Sequence, residues 1–262
     1  MFTFTINNVY TSVLFSQGWE HNIILNALTF ERPASTFGTR PGTWHGSHCF
    51  LKRNPKGRYF FPTGLLALVV EKLPTGLETK FTDNRKRPAT VRKINPSKQP
   101  STDPQKGRIE AAIARERGII QVLPGKERLE VAAGIVKTLG IPKTLYIAKN
   151  VALLRQAATF FKDELDLCPG IIADGEQQPG RLTVASILAL VKRRDEPGIK
   201  AFLDSVHVLF IDCQNRPETW YRVGLSCPAY YRFAFTGIES NPGTASDVRL
   251  TAITGKPIYP VQ

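Results

Sequence analysis

From Gly107 onward, short apolar stretches alternate with longer segments whose apolar residues recur every three or four positions. This pattern constrains the fold more than any other feature. A strand buried on both faces reads as an unbroken apolar run, and a helix that covers it carries one apolar stripe. The pattern predicts helices over 109–117, 128–139, 151–165 and 187–193. Strands are expected over 118–123, 144–148 and 206–211, and near 170–173, 183–185, 231–235 and 248–253. Such an order implies a parallel, doubly wound sheet with flanking helices, an α/β class.

The first part of the chain has a different character. Phe2, Phe4 and Ile6 alternate with Thr3, Thr5 and Asn7, as in a half-buried strand. Further strands are expected over 22–30, 47–51 and 58–61. A helix over 65–73 follows Pro62-Thr63-Gly64 and ends before Pro74-Thr75-Gly76. This is a small α+β domain, 1–95. Between Lys80 and Arg108 the chain turns basic, with Pro88, Pro96, Pro100 and Pro104 interspersed. It reads as an exposed strand leading into a linker, 96–107, that serves as a solvated hinge or as part of a phosphate-binding track. The third segment is 108–262.

The formal charge of +13 points to a polyanionic partner. Nucleic acid fits better than a membrane, because no basic amphipathic anchor and no long apolar run stands out. The N-terminus lacks the basic stretch of a secretion signal, and a cytoplasmic location is expected. Cys49, Cys168, Cys213 and Cys227 show no paired spacing, which argues against a zinc ribbon or a disulfide framework. His45, His48 and Cys49 cluster without an evident fourth ligand, so no metal is expected.

One strand-loop-helix junction carries the chemistry. A phosphate-binding loop needs several glycines, a lysine for the β- and γ-phosphates, and a Ser or Thr for magnesium. Here the loop after the strand at Gly118 is Leu123-Pro124-Gly125-Lys126-Glu127-Arg128. A single glycine remains, and Glu127 would repel a triphosphate.

Taken in order, several segments resemble the first RecA-like motor domain of superfamily-2 DNA helicases, in the phage recombination and repair branch. Thr144 to Lys149 with Leu153-Leu154-Arg155-Gln156 resembles the segment known as motif Ia. Leu182 to Ile187 followed by Leu190-Val191-Lys192-Arg193 resembles "ITVAT…LVKR". Phe210-Ile211-Asp212-Cys213-Gln214-Asn215 stands where "VDEAH" belongs, and Tyr230 to Gly237 where "YRFGLTGTP" belongs. Trp44-His45-Gly46 and Phe60 to Leu66 resemble the "WDG" and "FPTGLL" of the small N-terminal domain.

The departures from that family shape the expected function. The resemblance places Gly125, Lys126, Arg128, Asp212 and Cys213 in a degenerate nucleotide site. Arg128 replaces the lysine, Leu129 replaces the magnesium ligand, and Cys213 replaces the Glu that would act on the attacking water. The chain ends just after Tyr259, where a second motor domain is expected. The expectation is a pseudoenzyme with no cofactor.

Its nucleic-acid contacts are expected at Lys149, Asn150, Arg155, Thr183, Ser186, Lys192, Arg193 and Arg194. Arg85, Lys86, Arg87, Arg92 and Lys93 would add to them from the basic stretch. Trp44 and His45 either stack on a base or sugar or pack under their turn. The resemblance implies a phage protein that binds DNA rather than RNA and acts in replication, recombination or repair, with a replication, recombination or host protein as a further partner. The alternatives are a protein-docking scaffold or inhibitor, and half of a split motor, against which the loop speaks.

Overall fold

Alternate residues of the central strands face two separate cores, and this division sets the layers of the molecule. The computed structural model describes residues 1–31, 47–89, 103–123, 125–140, 142–212, 217–237 and 245–258. The N-terminal elements are β1 (Phe2–Ile6), β2 (Tyr10–Leu14), α1 (Gly18–Ala27), β3 (Thr29–Glu31), β4 (Ser47–Cys49), β5 (Lys52–Arg53), β6 (Tyr59–Pro62), α2 (Leu66–Glu71) and β7 (Thr79–Asp83). They form a sheet in the order β5-β6-β2-β1-β7, in which only β1 and β7 run parallel, plus a separate β3–β4 pair.

The larger sheet begins after α3 (Pro104–Arg115). Its elements are β8 (Arg117–Gln121), α4 (Lys126–Thr138), β9 (Thr144–Ala148), α5 (Val151–Leu165), β10 (Gly170–Ala173), β11 (Glu176–Gln178), β12 (Leu182–Ser186), α6 (Ile187–Arg193), α7 (Pro197–Asp204), β13 (Val208–Asp212), α8 (Pro217–Ser226), β14 (Tyr231–Thr236), α9 (Ala245–Thr254) and β15 (Pro257–Ile258). The order is β11-β10-β12-β9-β13-β14-β8-β15, and every pairing except β10–β11 is parallel. This is the α/β architecture that the alternation implied, in the RecA-like form that the resemblance implied.

Ile120, Tyr146, Phe210 and Phe235 pack on one face with residues of α3, α4 and α5. Ile119, Leu145, Ile147 and Ile211 face the other way, toward α6 to α9 and the N-terminal sheet. Phe2, Phe4, Phe61 and Leu65 belong to that second core, so the N-terminal module and the large sheet are joined by apolar packing. Phe50 meets Tyr221 of α8 edge-on at 5.8 Å.

The fully buried Arg232 of β14 fixes this layer. Its guanidinium donates to the Ile253 carbonyl at 2.7 Å, to the Gly224 carbonyl at 2.5 Å and to the Cys227 carbonyl. Those oxygens lie at the C-terminal ends of α8 and α9, where the helix dipole favours a cation.

Two expected strands are helical, one of them in part. Residues 22–27 lie in α1 and 29–30 in β3; the start of α1 is fixed by Glu20 accepting from the backbone N–H groups of Ser16 at 2.6 Å and Gln17 at 2.9 Å. A run as short as Ile23-Ile24-Leu25 fits either period, and the capping carboxylate decides. Residues 248–253 lie in α9, which packs against α8, β8, β14 and the turn at 63–65 and is therefore buried on most sides, polar residues included. Helices α7 and α8 were not anticipated. The segment 96–107 overlaps α3, which Asp103 caps by accepting from the Gln105 N–H at 2.9 Å.

Gly64, in a 3₁₀ turn at Thr63–Leu65, touches α9 so closely that a Cβ would lie 2.0 Å from the Thr251 carbonyl oxygen. Gly64→Ala should cost about 1–3 kcal/mol in chemical denaturation. Gly18→Ala, with nothing within 4 Å, should leave the midpoint nearly unchanged.

Candidate nucleotide and nucleic-acid sites

The C-terminal ends of β8, β9, β12 and β13 lie along one rim of the parallel sheet, where α/β folds bind ligands. The β8–α4 loop is closed by its own side chains. Gly125 precedes α4 with φ +109° and ψ −139°, a backbone state essentially confined to glycine. Glu127 turns back and accepts from the Leu123 N–H at 2.8 Å, while Arg108 of α3 pairs with the same carboxylate. A carboxylate thus sits on a loop N–H that a phosphate would otherwise require. Lys126 points outward and pairs with Glu130 at 3.0 Å.

Arg128 is turned inward and buried, and its Nη1 pairs directly with Asp212 at the end of β13. The Tyr146 hydroxyl of β9 donates to the other Asp212 oxygen at 3.2 Å. Burial, and secondly the Asp212 charge, push the Tyr146 pKa well up, so the phenol remains a donor. Leu129, at the position of the magnesium ligand, is buried in the α4 core. Cys213, Gln214 and Asn215 lie outside the described residues, as do Trp44, His45, Arg92 and Lys93. Among the described residues, no group of three His, Cys, Asp or Glu is placed to hold a metal ion.

The residues expected to contact nucleic acid fall into three groups. Lys149 is exposed at the end of β9, and the Asn150 side chain beside it caps α5 by accepting from the Leu153 N–H at 2.9 Å. Lys192 is exposed and only loosely paired with Asp174 at 3.8 Å; Arg194 lies 3.4 Å from Asp195.

A second group is held in internal contacts. Arg155 pairs with Glu176, and Arg193 with Glu196 at 3.0 Å and Gln177 at 2.5 Å. Thr183 and Ser186 are buried, and the Thr183 hydroxyl is bound to Gly180, accepting from its N–H at 2.9 Å. Burial places Thr183 out of reach of a large ligand.

The third group joins the N-terminal module to the sheet. Arg85 pairs with Asp83 at 2.7 Å and with Glu116 at 3.0 Å. Arg87 lies 3.7 Å from Glu116 and donates to the Tyr231 hydroxyl at 2.9 Å. Lys86 remains exposed. The sequence reading missed Glu116, whose φ of +63° at the end of α3 turns the chain into β8. It also missed Tyr146 and Arg108. A basic residue at the lysine position facing an intact Asp212 was the available signal for the buried pair.

No protein-family model and no curated protein matches the chain. Among solved structures, the crystal structure of the UvsW helicase from bacteriophage T4 superposes with a TM-score of 0.72 at 15% identity, covering 98% of this chain and 99% of that one. The fold is that of a phage helicase. A second T4 UvsW structure gives a TM-score of 0.73 at 15% identity, and this chain spans 57% of its length. Identity at this level establishes the fold alone.

Arg128→Ala should cost about 3–5 kcal/mol in chemical denaturation, because Asp212 is left buried and unpaired. The apolar triple variant R128M/D212L/Y146F should recover most of that loss. A single variant with unchanged stability would show that the pair is not formed in solution.

Proposed function

We propose that the chain is a catalytically silent form of the helicase fold that binds nucleic acid, DNA rather than RNA, chiefly through phosphates. The observation that carries this reading is the buried Arg128–Asp212 pair. In an active motor the corresponding cation and carboxylate serve the phosphates and the magnesium ion from opposite sides. Here they satisfy one another, Leu129 offers no oxygen, and Glu127 occupies a loop N–H. These residues do not fit a magnesium-bound nucleotide.

Binding of a polyanion is supported by the formal charge of +13 and by Lys149, Lys192 and Arg194 near the C-terminal rim of the sheet. Lys149 sits beside the N-terminus of α5, where the helix dipole also favours an anion. The likeness to a phage helicase supports a phage-encoded protein acting in DNA replication, recombination or repair.

A second reading, a protein-docking scaffold, draws on the same rim. Leu123, Val151 and Leu188 follow β8, β9 and β12 and are each about half exposed. Apolar side chains gathered on one edge suit a protein partner. A complete lack of DNA binding at low salt would favour this reading over the first.

Titration of labelled single-stranded, duplex and forked DNA at several salt concentrations tests the proposal. Affinity should fall steeply with salt, by about 0.9 log unit per log unit of salt for each duplex phosphate contact. Reversing Lys149, Lys192 and Arg194 to Glu should flatten that slope by about two to three. An unchanged slope would remove the rim from the footprint.

A further inference from the structure

At the opposite end of the large sheet from the closed loop, a pocket of about 640 Å³ lies between the N-terminal module and the N-terminal ends of β13 and β14. Its size is in the range of small-molecule sites. Asn8, in the β1–β2 turn, organises it. The Asn8 amide donates to the Pro228 carbonyl at 2.7 Å, and its oxygen accepts from the Lys86 N–H at 3.0 Å. One side chain therefore ties the turn, the exit of β7 and the approach to β14, so the walls are held before any ligand arrives.

The lining combines cationic, amide and aromatic groups. Lys86 and Arg87 supply positive charge, Asn7 and Asn84 present exposed amides, and Tyr10 supplies a ring; the Tyr230 ring is buried beneath the Arg85 and Arg87 guanidinium groups, at 5.2 and 5.8 Å. Neither the Asn7 nor the Asn84 side chain bonds to another described residue. The imidazole of His207 also lines the pocket, and its Nδ1 is buried without a hydrogen-bond partner. Burial, with Lys143 adding to it, lowers the His207 pKa and keeps the ring neutral near pH 7.

Behind Asn8 lies an excess of positive charge. The Asn8 carbonyl accepts from Arg117 Nη2 at 2.7 Å, but Arg117 Nε and Nη1 are buried with no partner. Burial, then Arg232 and Arg85, press the Arg117 pKa downward, against the opposing pull of Glu116. The two nearby carboxylates are already engaged, Glu116 by Arg85, Arg87 and Tyr230 and Asp83 by Arg85. An anion in the pocket would offset this excess.

We propose that this pocket takes a single unstacked nucleotide, with its phosphate on Lys86 and Arg87 and its base against Tyr10, within reach of the Asn7 and Asn84 amides. Phosphate contacts position a nucleotide, and amide side chains read base edges by paired donors and acceptors. Asp204 on another wall disfavours additional phosphates, so the fitting unit is a nucleoside monophosphate. That unit has two sources, a nucleotide flipped out of a strand and a free mononucleotide. Only the first source rests on the nucleic-acid reading above.

The test uses the whole chain in two arms. The first titrates dAMP, dGMP, dCMP and TMP, with inorganic phosphate and ATP as comparators, read by amide NMR shifts. The second cross-links a 5-iodouracil single strand by light and maps the adducts by mass spectrometry. Saturable monophosphate binding that exceeds inorganic phosphate, and that weakens about tenfold in Lys86→Ala, supports the pocket. Val9→Trp, which fills the cavity, should abolish it, and the exposed Lys86→Ala variant remains informative should Val9→Trp misfold.

Adducts on Tyr10 identify the strand as the source. Monophosphate binding without any DNA binding supports the pocket as a free-nucleotide site and overturns the nucleic-acid reading alone. DNA binding with no monophosphate binding and adducts confined to the sheet's other rim overturns the pocket alone. Inorganic phosphate binding as tightly as the monophosphates would also overturn it, because the base would then contribute nothing.

Discussion

A carboxylate at the end of a central strand in a doubly covered parallel sheet has little water around it, and it must find a cation. That requirement governs the C-terminal rim of this molecule. Asp212 ends β13 in a buried position and meets Arg128 and Tyr146. Drawing Arg128 inward fixes the first turn of α4, leaves Lys126 facing solvent, and lets Glu127 fold back onto the Leu123 N–H. Breaking a buried pair is far costlier than never having formed one. A nucleotide entering here would have to break this pair and displace Glu127 from both Arg108 and the loop.

The same accounting of partners applies to the basic residues. A charge of +13 suggests a uniformly cationic surface, yet many of the guanidinium groups are engaged inside the fold. Arg232 joins α8 and α9 to β14, Arg85 and Arg87 hold Glu116, and Arg155 holds Glu176. Exposed cations remain at Lys149 and Lys192 at the C-terminal rim and at Lys86 beside the pocket at the other end. Position relative to carboxylates, more than count, decides which charges can meet a polyanion. The exposed cations therefore fall in two separated regions, joined by a sheet whose strands run from one to the other.

The parallel sheet was legible in the sequence because a strand covered on both faces cannot hide its apolar run. Helix α5 and helix α6 were legible to the residue because Asn150 and Ser186 precede uninterrupted amphipathic stretches. Helices α1 and α9 read as strands for a shared reason. In α1 the apolar run Ile23-Ile24-Leu25 is too short to set a period, and α9 is buried on most sides, so neither shows the single stripe that marks a surface helix. The loop chemistry was legible one residue at a time, including the replacement by Arg128 and the intrusion of Glu127. Their pairing partners were not, because Arg108, Tyr146 and Glu116 meet the loop and the module interface only through tertiary folding. The pocket was invisible for the same reason, since Asn8, Lys86, His207 and Tyr230 lie on four distant segments.

The most direct measurement is an isothermal titration of magnesium–ATP into the purified chain, alongside an Arg128→Ala variant shown to be folded. The account predicts no saturable heat for the native chain at millimolar nucleotide, with the Arg128–Asp212 pair intact. Saturable binding to the native chain that vanishes in Arg128→Ala would contradict it, because it would show Arg128 holding phosphate rather than Asp212.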